Sequence, residues 1–172
     1  MPRKPSRPAA QSDRSAAVLT VSDRSFRGQR PDTGGPRVAR ALCRAGFDVV
    51  ATALVPDDRP RISSALRKLA RKAALVVTTG GTGLSPRDVT PEATREVLDR
   101  EIPGFGEAMR AAAFRRLPSA VLSRALGGTL KRSLVLNLPG NPAGAVESLG
   151  VLLPCIPHAL AILRSPSCDP HR

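Results

Sequence analysis

The chain predicts an α/β fold, three layers (α/β/α) around a mostly parallel sheet, in a single domain. Three observations carry this. Apolar, β-branched runs alternate with stretches of helical periodicity. The runs are apolar throughout, as strands buried on both faces are, and alternation with helices implies right-handed crossovers. The length of 172 residues suits one full hydrophobic core.

The first strand is expected over residues 16–22, "AAVLTVS". The first helix covers 33–46: Val38, Leu42 and Ala45 share a face, and Gly46 is the stop signal. A second strand covers 47–55. A second helix follows over 57–72, with Ile62, Leu66 and Leu69 as its buried stripe. The third strand is 73–79. The third helix is 90–102, with Thr90 as N-cap and Pro91 at the first helical position, where a missing N–H costs nothing. A fourth helix spans 104–116 and a further strand 133–138. Asn141 caps the next helix, Pro142 sits in its first turn, and a last helix ends near Leu163. Residues 1–15 and 165–172 are rich in Pro, Ser and Arg without periodicity. They read as disordered tails flanking a domain at 16–164.

Net charge is +13, which raises nucleic-acid binding. Yet the basic residues are scattered, and nearly all are arginine; the lysines are Lys4, Lys68, Lys72 and Lys131. Aromatic content is 2%, too little to supply the stacking platforms of single-strand binders. No specific nucleic acid is expected; part of the charge attracts an anionic small molecule. Cys43, Cys155 and Cys168 show no metal or disulfide spacing, and a reducing cytoplasm fits them. The apolar run "VLLPCIPHALAIL" is broken by Pro154 and Pro157 and is too short to span a bilayer. Neither His158 nor His171 stands where a catalytic base is needed. Chemistry must run on carboxylates, backbone amides, hydroxyls, arginine or a bound cation.

Ligands bind at the carboxyl ends of strands in open parallel sheets. There the sequence puts Ser22 and Asp23, then Asp57 and Asp58, then Thr79-Gly80-Gly81-Thr82-Gly83 with Asp88 beyond, then Pro139-Gly140-Asn141-Pro142. The glycine loop lacks Walker A and dinucleotide spacing. Two readings stand. Its N–H groups form an anion nest, or its glycines only permit positive φ. Asp57 reads as a helix cap, and Asp88 as a cap or Asx-turn. Together at one sheet edge the two acids read as a cation site, because Mg2+ takes one or two carboxylates plus phosphate oxygens. Such a site suits phosphorus-group transfer from an anionic nucleophile that needs no general base.

The blocks "LTVSDRSFRGQRPDTGGPRVARALCRAGFDVV", "VPDD", "TTGGTGLSPRDVTPEAT", "IPGFGEAMR", "VLSRALGG" and "LVLNLPGNPAG" resemble, in order, the motifs of the molybdopterin adenylyltransferases, the Mog-type enzymes of molybdenum cofactor biosynthesis. The resemblance covers roughly residues 17–163. It implies the molybdopterin-binding fold, a homotrimer, and attack of the terminal phosphate of molybdopterin on Mg-ATP. An insertase partner then receives the adenylylated product. It implies Asp57 and Asp88 as the acids that position Mg2+ and phosphate. It implies Thr79 to Gly83 as backbone donors, Ser123 near the pterin, Ser22 and Asp23 facing the nucleotide, and Pro139 to Pro142 as the opposite wall. Pyrophosphatases of the same fold carry paired aspartates in the loop, where this chain has one. A silent Mog-like binding protein is the other rival, and retention of both acids argues against it.

Overall fold

The computed structural model describes residues 13–165. Among them, the strands are β1 (Ser15–Val21), β2 (Asp48–Val55), β3 (Leu75–Thr79), β4 (Arg100–Glu101), β5 (Gly127–Leu130) and β6 (Ser133–Leu138). They form one sheet in the order β2-β1-β3-β6-β5-β4. The first four in that order are mutually parallel; β5 and β4 run antiparallel at the far edge. The helices are α1 (Asp23–Phe26), α2 (Gly34–Arg44), α3 (Arg59–Ala70), α4 (Thr90–Arg95), α5 (Pro103–Phe114), α6 (Pro142–Leu152) and α7 (Ile156–Arg164).

The central strands sort their side chains with period two. Ala16 and Val18 of β1 face a cluster holding Val38 and Leu42 of α2, Met109 of α5, Leu149 of α6 and Leu160 of α7. Ala17, Leu19 and Val21 face the other way, onto Ile62, Leu66 and Leu69 of α3 and Ala93 of α4. Both faces are therefore covered, which is why these strands are apolar throughout. The expected stripe on α3 is buried, and each such side chain contributes roughly 1.5–3 kcal/mol on transfer from water.

The expected tails fall mostly at 1–12 and 166–172, outside the described residues. Ser15, expected in the tail, opens β1, and its hydroxyl accepts the Ala74 N–H at 3.0 Å. The third helix stops at Arg95 instead of running to residue 102. Beyond it the backbone pairs with β5: Asp99 N–H donates to Thr129 O and Ile102 N–H to Gly127 O, both at 2.8 Å. Sheet pairing here overrides a helical pattern.

Strand β1 lies between β2 and β3. The chain leaves it over one face through α2 and returns to β3 over the other through α3. The carboxyl ends of β1 and β3 therefore flank the topological switch point, where open sheets hold ligands.

Candidate active site

A cavity of about 720 Å³ opens at those strand ends. Its floor is the turn after β3. Gly80 has φ +105°, and a Cβ there would fall 2.2 Å from the Val21 carbonyl oxygen. Gly81 has φ +64°, and its Cβ would lie 2.4 Å from Thr90 Oγ1 and 3.0 Å from Asp57 Oδ1. Only glycine lets the end of β3 lie this close to β1 and the acids. Thr79 Oγ1 donates to Pro139 O at 2.8 Å, tying the turn to the end of β6.

The acids come together here by distinct means. Asp58, not Asp57, caps α3, accepting the Arg61 N–H at 3.0 Å. Asp57 is thus released from the capping role that its position offered. It interlocks instead with Asp23: Asp57 Oδ2 accepts the Asp23 N–H at 2.8 Å, and Asp23 Oδ1 accepts the Asp57 N–H at 3.1 Å. Arg87 forks onto Asp23 Oδ2 through Nη2 at 2.5 Å and Nε at 3.1 Å. That guanidinium holds the Asp23 carboxyl below its ordinary range. Asp57 moves the opposite way. Burial pushes it up, and the negative charges of Asp23 and Asp88 add to the rise. Asp88 neither caps α4 nor makes an Asx-turn toward Thr90: its Oδ2 accepts the N–H of Ser85, three residues back, at 3.0 Å.

Ser22, Asp23, Asp57, Thr79, Gly80, Gly81, Asp88, Gly140 and Pro142 all line this cavity. Thr82 and Gly83 do not; their carbonyls accept from Arg124, at 2.9 Å from its N–H and 2.7 Å from its Nε. Ser123, Pro139 and Asn141 border a second cavity of about 370 Å³ between α5 and α6. Asn141 caps α6 as expected, taking the N–H groups of Ala143 and Gly144 at 3.0 Å. Thr90 does not cap α4: Val89 precedes the helix, and Thr90 Oγ1 is buried without a partner.

Sequence reasoning passed over Asp32 and a set of arginines. Asp32 Oδ2 accepts from Thr20 Oγ1 at 2.7 Å, and its Oδ1 accepts the Gly35 N–H at 3.0 Å. It fixes the start of α2 against β1; its place three residues before Gly35 is a capping signal that could have revealed it. Arg24, Arg30 and Arg87 stand on the rim and give the cavity a positive approach. Scattered arginines carry no local pattern to find them by. Among the described residues, no three His, Cys, Asp or Glu side chains form a metal cage, and no single helix is long and apolar enough to cross a membrane.

Residues 17–158 match the family model described as a probable molybdopterin binding domain. A molybdopterin adenylyltransferase of Haemophilus influenzae is 46% identical over 136 residues, 77% of this chain and 69% of the relative. A molybdenum cofactor biosynthesis bifunctional protein of Synechococcus elongatus is 39% identical over 150 residues, 87% of this chain but 47% of that protein. The solved structure of the molybdopterin biosynthesis enzyme MoaB from Thermus thermophilus superimposes with a TM-score of 0.82 at 50% identity, covering 87% of this chain and 95% of that one. Fold, site and these likenesses agree: the chain belongs to the molybdopterin-binding domain family, the family that includes the molybdopterin adenylyltransferases.

Proposed function

We propose that this chain transfers AMP from Mg-ATP to the terminal phosphate of molybdopterin and releases pyrophosphate. A phosphate oxygen of molybdopterin forms the new bond to the α-phosphorus, and the bond from that phosphorus to the bridging oxygen of pyrophosphate breaks. The nucleophile is already anionic, so no histidine is required. The curated name of the relative at 46% identity supports the reaction class. The observation that carries the reading is the convergence of Asp57 and Asp88 on one glycine turn, where burial and acidic neighbours outweigh the Asp23 N–H and leave Asp57 raised. Arg87 acts weakly on Asp57 because it is bonded to Asp23.

These residues fit Mg2+. Asp57 is raised by burial and by its acidic neighbours, and a divalent cation relieves both effects. Asp57 and Asp88 would hold it, and when bound it supplies positive charge against the phosphates. The rest is the chain's own work. The Gly81 N–H has no acceptor among the described residues and would be free to donate to a phosphate oxygen. The rim arginines draw in the triphosphate, and the Asp23–Asp57 interlock keeps the strand ends in register.

The same reading makes the chain a cytoplasmic homotrimer that passes its product to a molybdenum insertase. The bifunctional relative, more than twice the matched length, supports a second activity working beside this one. Phe114, Leu117, Val121 and Leu122 form an exposed apolar run that supports self-association. Purified protein incubated with molybdopterin and Mg-ATP should yield adenylylated pterin. Asp57→Asn and Asp88→Asn should each lower turnover by about 100-fold or more. Normal turnover by both variants sinks the assignment of the acids.

A further inference from the structure

Arg124 lies outside the lining of the first cavity, yet its guanidinium reaches the backbone of a residue that lines it, Asp88. Its Nε donates to Gly83 O at 2.7 Å, its Nη2 donates to the Asp88 carbonyl, and its Nη1 pairs with Glu92 Oε1. Its own N–H donates to Thr82 O at 2.9 Å. These four bonds hold both ends of the segment 82–92 and the backbone of Asp88 within it. The Asp88 rotamer is then set locally, by the Ser85 N–H on Oδ2 and by the Asp88 N–H on Ser85 O at 2.8 Å. Arg124 is itself anchored: Arg110 Nη1 of α5 donates to the carbonyls on either side, Ser123 O at 3.1 Å and Ala125 O at 3.0 Å. Side-chain exposure of Arg124 and Glu92 is 32% and 33%, so the ion pair is partly shielded.

We propose that Arg124 is a positioning residue: its three-pronged fork fixes the Asp88 backbone and so sets the acid against Asp57. This rests on the reading of Asp88 as a cation- and phosphate-positioning carboxylate. The fork geometry matters, because one ammonium group cannot reach three diverging acceptors as a planar guanidinium does. The same short segment carries Ser123 into the second cavity. Arg124 therefore links the wall of one cavity to the acid of the other.

The test compares wild type, Arg124→Lys and Glu92→Gln. In Arg124→Lys, amide exchange in peptides covering residues 82–89 should speed up about fivefold or more, with peptides of β1 and β3 unchanged. Turnover should fall about 10- to 100-fold, with KM for Mg-ATP within about threefold and the half-saturating Mg2+ concentration raised. Glu92→Gln keeps the bonds to Gly83 and Asp88 and should lose less of both. A purely structural role would lower Tm without moving the Mg2+ dependence, and that result overturns the proposal. Unchanged exchange over 82–89 overturns it too, as does Glu92→Gln matching Arg124→Lys. If wild type transfers no AMP, the proposed function fails while the exchange measurement still decides the clamp.

Discussion

Asp57 is the residue at which stability and function pull apart. Its folded-state pKa lies above its ordinary value through burial and the nearby Asp23 and Asp88. A raised acid contributes stability that is present below its unfolded pKa and lost as pH rises through its folded pKa. At neutral pH the ionised group is therefore a cost to the fold. Asp57→Asn keeps an acceptor for the Asp23 N–H and removes that cost. It should raise Tm at pH 7 by roughly 2–4 °C while removing turnover. Asp23 has the opposite sign: held low by Arg87, it contributes stability that is lost as pH falls through its folded pKa. In the wild type the acid limb of the kcat/KM profile, which reports the free enzyme, should lie above the ordinary aspartate value, reporting Asp57. A limb at or below that value contradicts the assignment. Asp57 and Asp88 could be read as candidates because each follows a strand end. The roles of Arg87 and Arg124 could not, because their side-chain partners lie 32 to 64 residues away and no local period encodes such pairs.

Elements with strong periodicity were legible and the others were not. The stripe on α3 and the apolar runs of β1, β3 and β6 predicted their own positions. Strand β5 reads "GGTL", without β-branched alternation, and β4 is two exposed residues. The hairpin from β5 into β6 turns at Lys131, which takes φ +55° with its N–H held by Asp99 Oδ2. A lysine at positive φ gives no turn signal of the usual glycine or asparagine kind. Between elements, one buried side chain does much of the binding. The Asn137 amide of β6 donates at 3.0 Å to Thr78 Oγ1 of β3 and to Thr94 Oγ1 of α4. Asn137→Ala removes both bonds and leaves a hole between sheet and helix. Urea unfolding should show a loss of about 2–4 kcal/mol. A loss under about 1 kcal/mol would show that the tie is dispensable.

For the whole molecule, the order β2-β1-β3-β6 does what no single motif can. It sets the switch point between β1 and β3, and so brings residues 22–23, 57, 79–81 and 88 into one cavity. The sequence showed which residues follow strands, but not which strands are neighbours, and hence not that Ser123 and Asn141 fall in a separate cavity. Assembly is the remaining property at this scale. Replacing Leu117 and Val121 together by Asp should convert the proposed trimer to monomers in sedimentation velocity, since exposed apolar groups of this kind drive association. A trimer that survives the change places the interface elsewhere. The central claim is AMP transfer, and the position of a label decides it. With α-labelled ATP, Mg2+ and molybdopterin, the label should appear on the pterin, and with γ-labelled ATP it should appear in pyrophosphate. Label from the γ-phosphate on the pterin, or no labelled pterin from either substrate, would contradict the account.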